Sequence, residues 1–352
     1  MTMKGYKMTD ITTPAQNTLS WDTMLPAPVM LNLELTTRCP LRCPQCYCDL
    51  SRGKDLPRDR AIQVLREAAQ IGVKTIMLSG GESMVYPYLF DLIEECSALG
   101  LYSCVALSGY GVDEDSLQKM INSGISEIFV SLNGSTEEVS IHTRDGHHLA
   151  INTLRLLSVS EFNNITVNWV AHKSNIHDFE NMVKLCLSYK VKRLMVMAFK
   201  PDSSHSLPSV PDNEQFLELA GMIKRLRKEI TELSIEVEPC YSPLCAYLGQ
   251  RFLLNINMGI FKGCGAGLDG ASLDVDGNFT PCRHLDYPER YDSLLQYWES
   301  SIVLREIRQV ETAPEANCDK CKFERNCLSC IAMNVKLNGR IVKANNYCGL
   351  WE

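Results

Sequence analysis

Three cysteines within one short segment are the residues whose types and spacing most clearly suggest chemistry. Cys39, Cys43 and Cys46 follow the pattern CxxxCxxC directly after an apolar, strand-like stretch. A structural zinc site requires four ligands, whereas this pattern supplies three thiolates. A cubane iron–sulfur cluster held by three thiolates keeps one iron open to a substrate. The spacing therefore predicts a cluster that does chemistry as well as carrying electrons.

A second group of cysteines lies near the end of the chain in the pattern CxxCxxxxxCxxC. Its members are Cys318, Cys321, Cys327 and Cys330. Two CxxC pairs can bind zinc tetrahedrally, but the gap between these pairs is shorter than in a usual zinc ribbon. Cysteines outside any pattern, such as Cys96 and Cys186, are expected to be core residues.

Composition and charge narrow the class of protein. The 352 residues are enough for one large domain and a smaller one. The formal charge of −7, without any block of Lys and Arg, argues against nucleic-acid binding. No signal-peptide pattern and no apolar run of about 18–20 residues is present, so we expect a cytoplasmic protein without a membrane partner. The 16 cysteines fit a reducing compartment because they gather at spacings suited to metal.

Strand and helix patterns alternate after the first cysteine segment. Strands are predicted at 29–35, 74–78, 101–107, 127–132, 165–170 and 193–199. Helices are predicted at 59–71, 86–99, 113–122, 149–159, 178–189 and 213–231. Such alternation builds a parallel sheet covered by helices. Six units are too few for a closed eight-stranded barrel, so the prediction is an open, partial (β/α)6 TIM-like barrel with chemistry at the carboxyl ends of its strands.

The pattern changes near Glu238-Pro239, beyond which the sequence is rich in cysteines and turns. We therefore predict an N-terminal extension at 1–28, the partial barrel at 29–235 and a small Cys-rich domain at 236–352.

With these motifs, the sequence resembles the radical S-adenosylmethionine (SAM) enzymes, and its tail resembles their SPASM subfamily, over about residues 31–348. The resemblance implies that Cys39, Cys43 and Cys46 hold a 4Fe-4S cluster to which SAM binds. It also implies roles for residues at the ends of the second and fourth strands and beyond: Gly80, Gly81 and Glu82 around the methionine, Ser131 and Asn133 at the ribose, and Arg144 at the SAM carboxylate.

The tail cysteines follow the SPASM order, which implies two auxiliary iron–sulfur clusters of the 4Fe-4S type. One would be bound by Cys318, Cys321, Cys327 and Cys348, and the other by Cys264, Cys282 and Cys330. Cys245 is the first candidate for the missing fourth ligand and Cys240 the second. An open site, at which a substrate thiolate docks, is the remaining alternative.

The sequence also departs from the family. Gln45 stands where an aromatic residue usually precedes the third cysteine, so packing against adenine is expected to differ or to come from Tyr47. Arg283 stands where sulfatase-maturing relatives carry an aspartate, which argues against that activity. The 28 residues before the first strand are too few for a winged-helix peptide-recognition domain, so a separate recognition protein is expected.

The resemblance implies that a 5′-deoxyadenosyl radical oxidises a ribosomally made peptide, forming a thioether or carbon–carbon cross-link. A reductant such as flavodoxin or ferredoxin would supply the electron. The candidates for a general base are Asp274, Asp276 and His284. One alternative keeps the clusters but acts as a small-molecule dehydrogenase or cofactor-peptide maturase. The other is an iron–sulfur electron-transfer or zinc-scaffold protein without SAM chemistry.

Overall fold

The protein folds around one open, largely parallel sheet. A computed structural model describes residues 25–201, 205–249, 252–253, 260–261, 263–310, 318, 321 and 329–343. Seven strands lie side by side in chain order: β1 (Met30–Glu34), β2 (Thr75–Ser79), β3 (Tyr102–Leu107), β4 (Glu127–Ser131), β5 (Ile165–Ala171), β6 (Arg193–Ala198) and β7 (Ser234–Val237). Each pairs in parallel with the next, so their carboxyl ends lie along one edge of the sheet.

Helices connect these strands and bury their apolar faces against the sheet. They are α1 (Arg58–Ile71), α2 (Leu89–Ala98), α3 (Glu114–Asn122), α4 (Glu137–Ser140), α5 (His147–Val159), α6 (Phe179–Ser188) and α7 (Asn213–Glu229). Capping boxes at Asp113 and Asp212 start α3 and α7, because each carboxylate accepts a backbone N–H that the first turn leaves unpaired. The core between the layers includes the fully buried Trp169, Phe179 and Phe216.

The predicted open α/β sheet is confirmed, and the predicted strands and helices lie within a few residues of the observed ones. The structure adds β7, which the sequence did not predict. Its four residues are too few to show a periodic pattern, and it is defined by its pairing with β6.

The tail contributes strands to the same sheet. After α8 (Ser242–Leu248), the two-residue strands β8 (Phe252–Leu253) and β9 (Ile260–Phe261) pair with each other. Strand β10 (Gly270–Leu273) then pairs in parallel with β1, and β11 (Phe279–Thr280) pairs antiparallel with β10. Among the described residues, β7 and β11 are therefore the two edges of this sheet, which stays open.

Three helices complete the described part of the tail: α9 (Leu294–Ser300), α10 (Ile302–Arg308) and α11 (Ile331–Asn338). Arg60 of α1 donates hydrogen bonds to the carbonyls of Tyr291 (2.8 Å) and Asp292 (3.0 Å). The indole of Trp298 donates to the carbonyl of Leu25 at 2.7 Å. These contacts join the tail to the sheet, and the domain boundary near residue 235 stays a prediction. No helix in the described ranges combines the length and the apolarity needed to cross a membrane.

Candidate active site

A cavity of about 160 Å³ lies where the carboxyl ends of the strands meet. It is lined by nine of the residues that the sequence singled out: Cys39, Cys43, Cys46, Gly80, Gly81, Ser131, Asn133, Arg144 and His284. These residues end or follow β1, β2, β4 and the antiparallel pair of β10 and β11, which are far apart in the sequence. The parallel sheet brings them together because its strand ends share one edge.

Hydrogen bonds hold the cysteine loop against the loop that carries Arg144. The amide of Gln45 donates to the carbonyl of Thr143 at 3.3 Å, and the amide of Arg42 donates to the carboxylate of Asp145 at 3.2 Å. Within the loop, the amide of Cys46 donates to the carbonyl of Cys43 at 3.1 Å. Two cationic side chains, Arg42 and Arg144, thus accompany the cysteines.

The cysteine thiols of this loop differ in acidity. Hydrogen bonding with Cys48, aided by the charges of Arg144 and Arg42, lowers the pKa of Cys46 to about 6. Burial instead raises the pKa of Cys39. Because the thiolate is the form that binds metal, Cys46 would be ready to bind one at neutral pH, whereas Cys39 would first have to lose its proton.

Gly80 and Gly81 allow the end of β2 to touch the segment that enters the cysteine loop. A methyl group on Gly81 would lie 2.3 Å from the carbonyl oxygen of Arg38, and one on Gly80 would lie 2.5 Å from that of Thr36. The amide of Gly81 donates to the Thr36 carbonyl at 2.6 Å. Gly80 also has a φ of 140°, which favours glycine. The close approach seen here is to this protein segment, and the predicted contact with methionine stays a prediction.

Glu82 is buried and holds neighbouring loops together. Its carboxylate accepts hydrogen bonds from the amides of Met84 (3.1 Å) and Ser108 (2.9 Å), and also from the Ser108 hydroxyl. Burial raises the pKa of Glu82, while these hydrogen bonds oppose the rise. Ser108 lines the cavity and Glu82 does not, so the predicted role of Glu82 at the SAM ammonium stays a prediction.

Asn133 links the segment after β4 to strand β5 and to the loop that carries Arg144. Its side-chain amide donates to the Thr143 hydroxyl at 3.0 Å and accepts from the backbone amide of Val170 at 3.1 Å. It is almost fully buried, so these bonds fix its orientation. Ser131 ends β4 and faces the same cavity. The ribose contacts predicted for both residues stay predictions.

A second part of the wall is aromatic and cationic. The rings of Tyr47 and His284 lie 4.4 Å apart between centroids, and the guanidinium of Arg283 lies 5.2 Å from the Tyr47 centroid. The ammonium of Lys200 donates to the carboxylate of Glu238 at 2.7 Å. Burial, followed by the charges of Lys200 and Arg283, holds the pKa of His284 well below its usual 6.5, so its imidazole is neutral.

The three base candidates lie in different places. His284 lines the cavity, whereas Asp274 and Asp276 do not. The Asp274 carboxylate accepts from the amides of Asp276 (2.9 Å) and Asn278 (2.8 Å) in the turn between β10 and β11. Asp276 forms ion pairs with Arg52 and with Lys54, the latter at 3.0 Å. The structure therefore gives the two aspartates local structural partners.

Three tail cysteines approach one another closely. The sulfurs of Cys240, Cys264 and Cys330 all lie within 4.8 Å of one another, a separation that a shared metal centre can bridge. Cys282 packs against the same small apolar cluster. Cys245, the first candidate for the fourth ligand, is directed elsewhere: its thiol donates to the carbonyl of Glu238 at 3.3 Å. Cys240, the second candidate, thus stands in the position expected of Cys245.

The other predicted tail ligands are only partly described. Cys318 is buried and Cys321 half-buried, and the amide of Cys321 donates to the carbonyl of Cys318 at 3.1 Å. Cys327 and Cys348 lie outside the described residues. The cluster predicted for these four cysteines stays a prediction.

The donors of the cavity fit a cluster with a polar ligand. Three thiols from one loop face the same space, which suits an iron–sulfur cluster held from one side. In addition, the side-chain oxygen of Gln45 and Nδ1 of His284 are buried without a hydrogen-bond partner in the structure. Buried polar atoms normally have partners, so these two atoms indicate that a polar molecule belongs in the cavity.

Among the cavity residues that were not predicted, two had a signal in the sequence. Ser108 and Lys200 come soon after β3 and β6, at the strand ends where chemistry is expected. Ser131 also ends a strand, but it was selected from the family resemblance, which gave no reason to select Ser108 or Lys200.

Comparison with known proteins agrees with this arrangement. Residues 33–186 match the model of the Radical SAM superfamily, so the chain contains a radical SAM domain in this segment. Over 178 residues the sequence is 33% identical to a PqqA peptide cyclase of Methylorubrum populi, covering 49% of this chain and 46% of that protein. The PqqA peptide cyclase of Methylorubrum extorquens strain PA1 gives the same identity and coverage. The chain thus spans about half the length of the curated relatives it matches.

Two solved structures share the fold. SuiB of Streptococcus suis bound to S-adenosylmethionine has a TM-score of 0.76 at 17% identity, covering 93% of this chain and 78% of SuiB. The enzyme anSMEcpe with bound AdoMet has a TM-score of 0.69 at 14% identity, covering 91% of this chain and 94% of that one. At these identities the likeness concerns the fold, which extends over the tail as well as the sheet.

Proposed function

We propose that this protein is a radical SAM enzyme that oxidatively modifies a ribosomally synthesised peptide by forming a thioether or carbon–carbon cross-link. The observation that carries the proposal is the convergence of Cys39, Cys43 and Cys46 with Arg144 on one cavity. The relatives named for acting on a peptide, the PqqA peptide cyclases, support the peptide class.

In this proposal, Cys39, Cys43 and Cys46 hold a 4Fe-4S cluster, and Arg144 binds the SAM carboxylate through its forked N–H donors. Held there, the cluster and SAM would supply 5′-deoxyadenosyl radical chemistry, with the electron coming from a reductant such as flavodoxin or ferredoxin. The chain positions the reactants: Gly80 and Gly81 set the distance between β2 and the cysteine loop, and Asn133 fixes the loops beside it.

We also propose that Cys240 completes an auxiliary iron–sulfur cluster with Cys264, Cys282 and Cys330. Its support is the approach of three of these sulfurs to within 4.8 Å. A second auxiliary cluster, at Cys318, Cys321, Cys327 and Cys348, belongs to the same proposal. These clusters would accept the electron that a two-electron oxidation of the substrate must release. A separate peptide-recognition protein, as expected from the sequence, would be the delivering partner.

The decisive test is reductive cleavage of SAM. The protein is purified and reconstituted without air, then incubated with SAM and dithionite, and 5′-deoxyadenosine is measured by mass spectrometry. We expect the wild type to form it and Cys43→Ala to lose it. Cys48→Ala is the matched control, because Cys48 lines the same cavity but lies outside the CxxxCxxC pattern. Absence of 5′-deoxyadenosine from iron-loaded wild-type protein would favour an electron-transfer or zinc-scaffold protein instead.

The auxiliary ligands are tested by metal analysis. Iron and zinc are counted in Cys240→Ser and Cys245→Ser after the same reconstitution. We expect less iron in Cys240→Ser and wild-type iron in Cys245→Ser, because only the thiol of Cys240 belongs to the close group. Zinc in place of iron in the wild type would contradict the auxiliary clusters.

A further inference from the structure

The charged side chains around the cavity are all cationic in the described part of the chain. Arg144, Lys200 and Arg283 line it, and no Asp or Glu from the described residues does. The whole chain carries a formal charge of −7, so this local excess of positive charge runs against the composition. Clefts lined by one sign of charge attract ligands of the opposite sign.

The three cations come from different parts of the chain. Arg144 precedes α5, and a backbone hydrogen bond joins the neighbouring Thr143 to Gln45 of the cysteine loop. Lys200 follows β6 and pairs with Glu238. Arg283 follows β11, and its guanidinium lies 5.2 Å from the centroid of the Tyr47 ring, which is itself 4.4 Å from the His284 ring. If Arg144 binds the SAM carboxylate, Lys200 and Arg283 remain for another anion.

Arg283 has unused hydrogen-bonding capacity. Its one hydrogen bond to a described residue is long, 3.5 Å to the hydroxyl of Ser79, and its other contact is the ring face of Tyr47. No carboxylate of the described residues lies within 4.0 Å of it. A guanidinium offers five N–H donors in a planar fork that matches a carboxylate. Arg283 is therefore poised to receive an anion from the cavity.

Lys200, which lines the same cavity, is held in place by an ion pair. Its ammonium donates to Glu238 at 2.7 Å, and the two side chains are only 10% and 12% exposed. The same Glu238 oxygen also accepts from the backbone amide of Ala198 at 2.7 Å. Glu238 balances the charge of Lys200 but occupies one of three donors, so Lys200 can direct another donor to the cavity. The net positive charge comes from Arg283.

We propose that Arg283 and Lys200 form a carboxylate-binding subsite, and that the substrate presents an acidic group beside the carbon that reacts. This inference rests on the proposed radical SAM function, because it assigns Arg144 to SAM. The carboxylate can belong to a Glu or Asp side chain or to a peptide C-terminus. A competing role for Arg283, balancing the charge of the metal-bound sulfur of Cys282, is an outcome of the test below.

The test measures binding of small carboxylates to the anaerobically reconstituted holoenzyme with SAM bound, by saturation-transfer NMR titration. The probes are N-acetylglutamate N-methylamide, its uncharged glutamine counterpart, and N-acetylalanine with a free C-terminal carboxylate. We expect the glutamate probe to bind at least about tenfold more tightly than the glutamine probe, as for loss of one charged hydrogen bond. Comparable binding of N-acetylalanine would assign the subsite to a C-terminus, whereas weaker binding assigns it to an acidic side chain.

Variants connect this preference to the two residues. Arg283→Gln and Lys200→Met should each remove it, while Lys200→Arg should retain it. The matched controls are Arg155→Gln and Lys192→Met, which replace exposed residues outside the cavity. Because Lys200→Met leaves Glu238 buried and unpaired, the double variant Lys200→Met/Glu238→Gln provides a second measurement in a protein without that unpaired charge.

Two outcomes would overturn the subsite. One is equal binding of the glutamate and glutamine probes to the wild type. The other is an Arg283→Gln protein that loses iron but keeps the wild-type preference, which would assign Arg283 to the cluster. Formation of 5′-deoxyadenosine without substrate is measured in parallel in the wild type. If it fails, the proposed function falls, and if it succeeds while the probes do not discriminate, only the subsite falls.

Discussion

Replacing Gly81 by alanine tests whether the end of β2 sets the position of the cysteine loop. The added methyl group would lie 2.3 Å from the carbonyl oxygen of Arg38 and 3.2 Å from Cβ of Cys39. Ordinary contacts of this kind begin at 3.4 Å, so the loop must move by about 1 Å. The obstructing atom is backbone, so no side-chain rotation can relieve the contact.

The displacement has two expected consequences. Overpacking of this kind costs about 1–3 kcal/mol in the free energy of unfolding. A shift of about 1 Å in a positioned reactant can lower a rate about 100-fold, so formation of 5′-deoxyadenosine should fall much more than stability does. Stability is measured by urea denaturation of the metal-free protein, and the product is measured on reconstituted protein with its iron content counted.

Gly221→Ala is the matched control. Gly221 lies within α7, and a methyl group there would meet no atom within 4 Å. Alanine is favoured over glycine inside a helix by roughly 0.5–1 kcal/mol, so this variant should be slightly more stable and fully active. If Gly81→Ala matched the wild type in stability, iron content and product formation, the contact between β2 and the cysteine loop would not position the cluster.

Three further predictions concern charged and ionisable side chains. In metal-free protein at pH 7, iodoacetamide should alkylate Cys46 before Cys39, because the pKa of Cys46 is lowered to about 6 and that of Cys39 is raised. Peptide mass spectrometry after short exposures to the reagent measures the order, and equal rates of alkylation would contradict it. Arg193→Met should lower the free energy of unfolding by about 3 kcal/mol, because it removes the cationic partner of the Glu127 carboxylate, which is 5% exposed. Adding Glu127→Gln should recover part of this loss in urea denaturation. No recovery would refute the pairing. Asp276→Asn should lower the free energy of unfolding by about 0.5–1 kcal/mol at pH 7, since hydrogen bonds from Lys54 and Arg52 hold the pKa of Asp276 below its usual 3.8. That stability is present above pH 3.8 and is lost as the pH falls through the lower pKa of the folded protein. In acid denaturation, the wild type and the variant should therefore become equally stable below that pKa.

The alternating strands and helices were predictable because each carries its own hydrophobic period. The starts of helices α3 and α7 were predictable as well, because Asp113 and Asp212 are N-cap residues. By contrast, the pairing of β10 with β1 joins residues such as Gly270 and Met30, which are far apart in sequence. Nothing local in either segment encodes that partner, so only the folded chain reveals that the tail extends the sheet.

The site was predictable where residues follow a fixed spacing and uncertain where the ligand comes from elsewhere in the chain. CxxxCxxC predicted Cys39, Cys43 and Cys46 as ligands of one cluster, and the structure places all three on one cavity. The prediction put Cys245 before Cys240 as the missing fourth ligand, but no fixed spacing supported that order. In the structure Cys245 lies in α8 and its thiol donates to the carbonyl of Glu238, whereas the sulfur of Cys240 lies within 4.8 Å of those of Cys264 and Cys330.

The buried pair of Lys200 and Glu238 connects the cavity to those tail cysteines. Glu238 follows β7 and accepts from both Ala198 and Lys200 at the end of β6, so a single carboxylate fixes the two strand ends relative to each other. Although burial opposes it, the Glu238 charge raises the pKa of Lys200 and keeps its ammonium charged. A buried pair is weak evidence for stability, because desolvating both charges offsets much of their attraction. Lys200 lines the cavity and Glu238 lies two residues from Cys240, so the pair would hold the proposed substrate subsite and the proposed metal centre at a fixed separation.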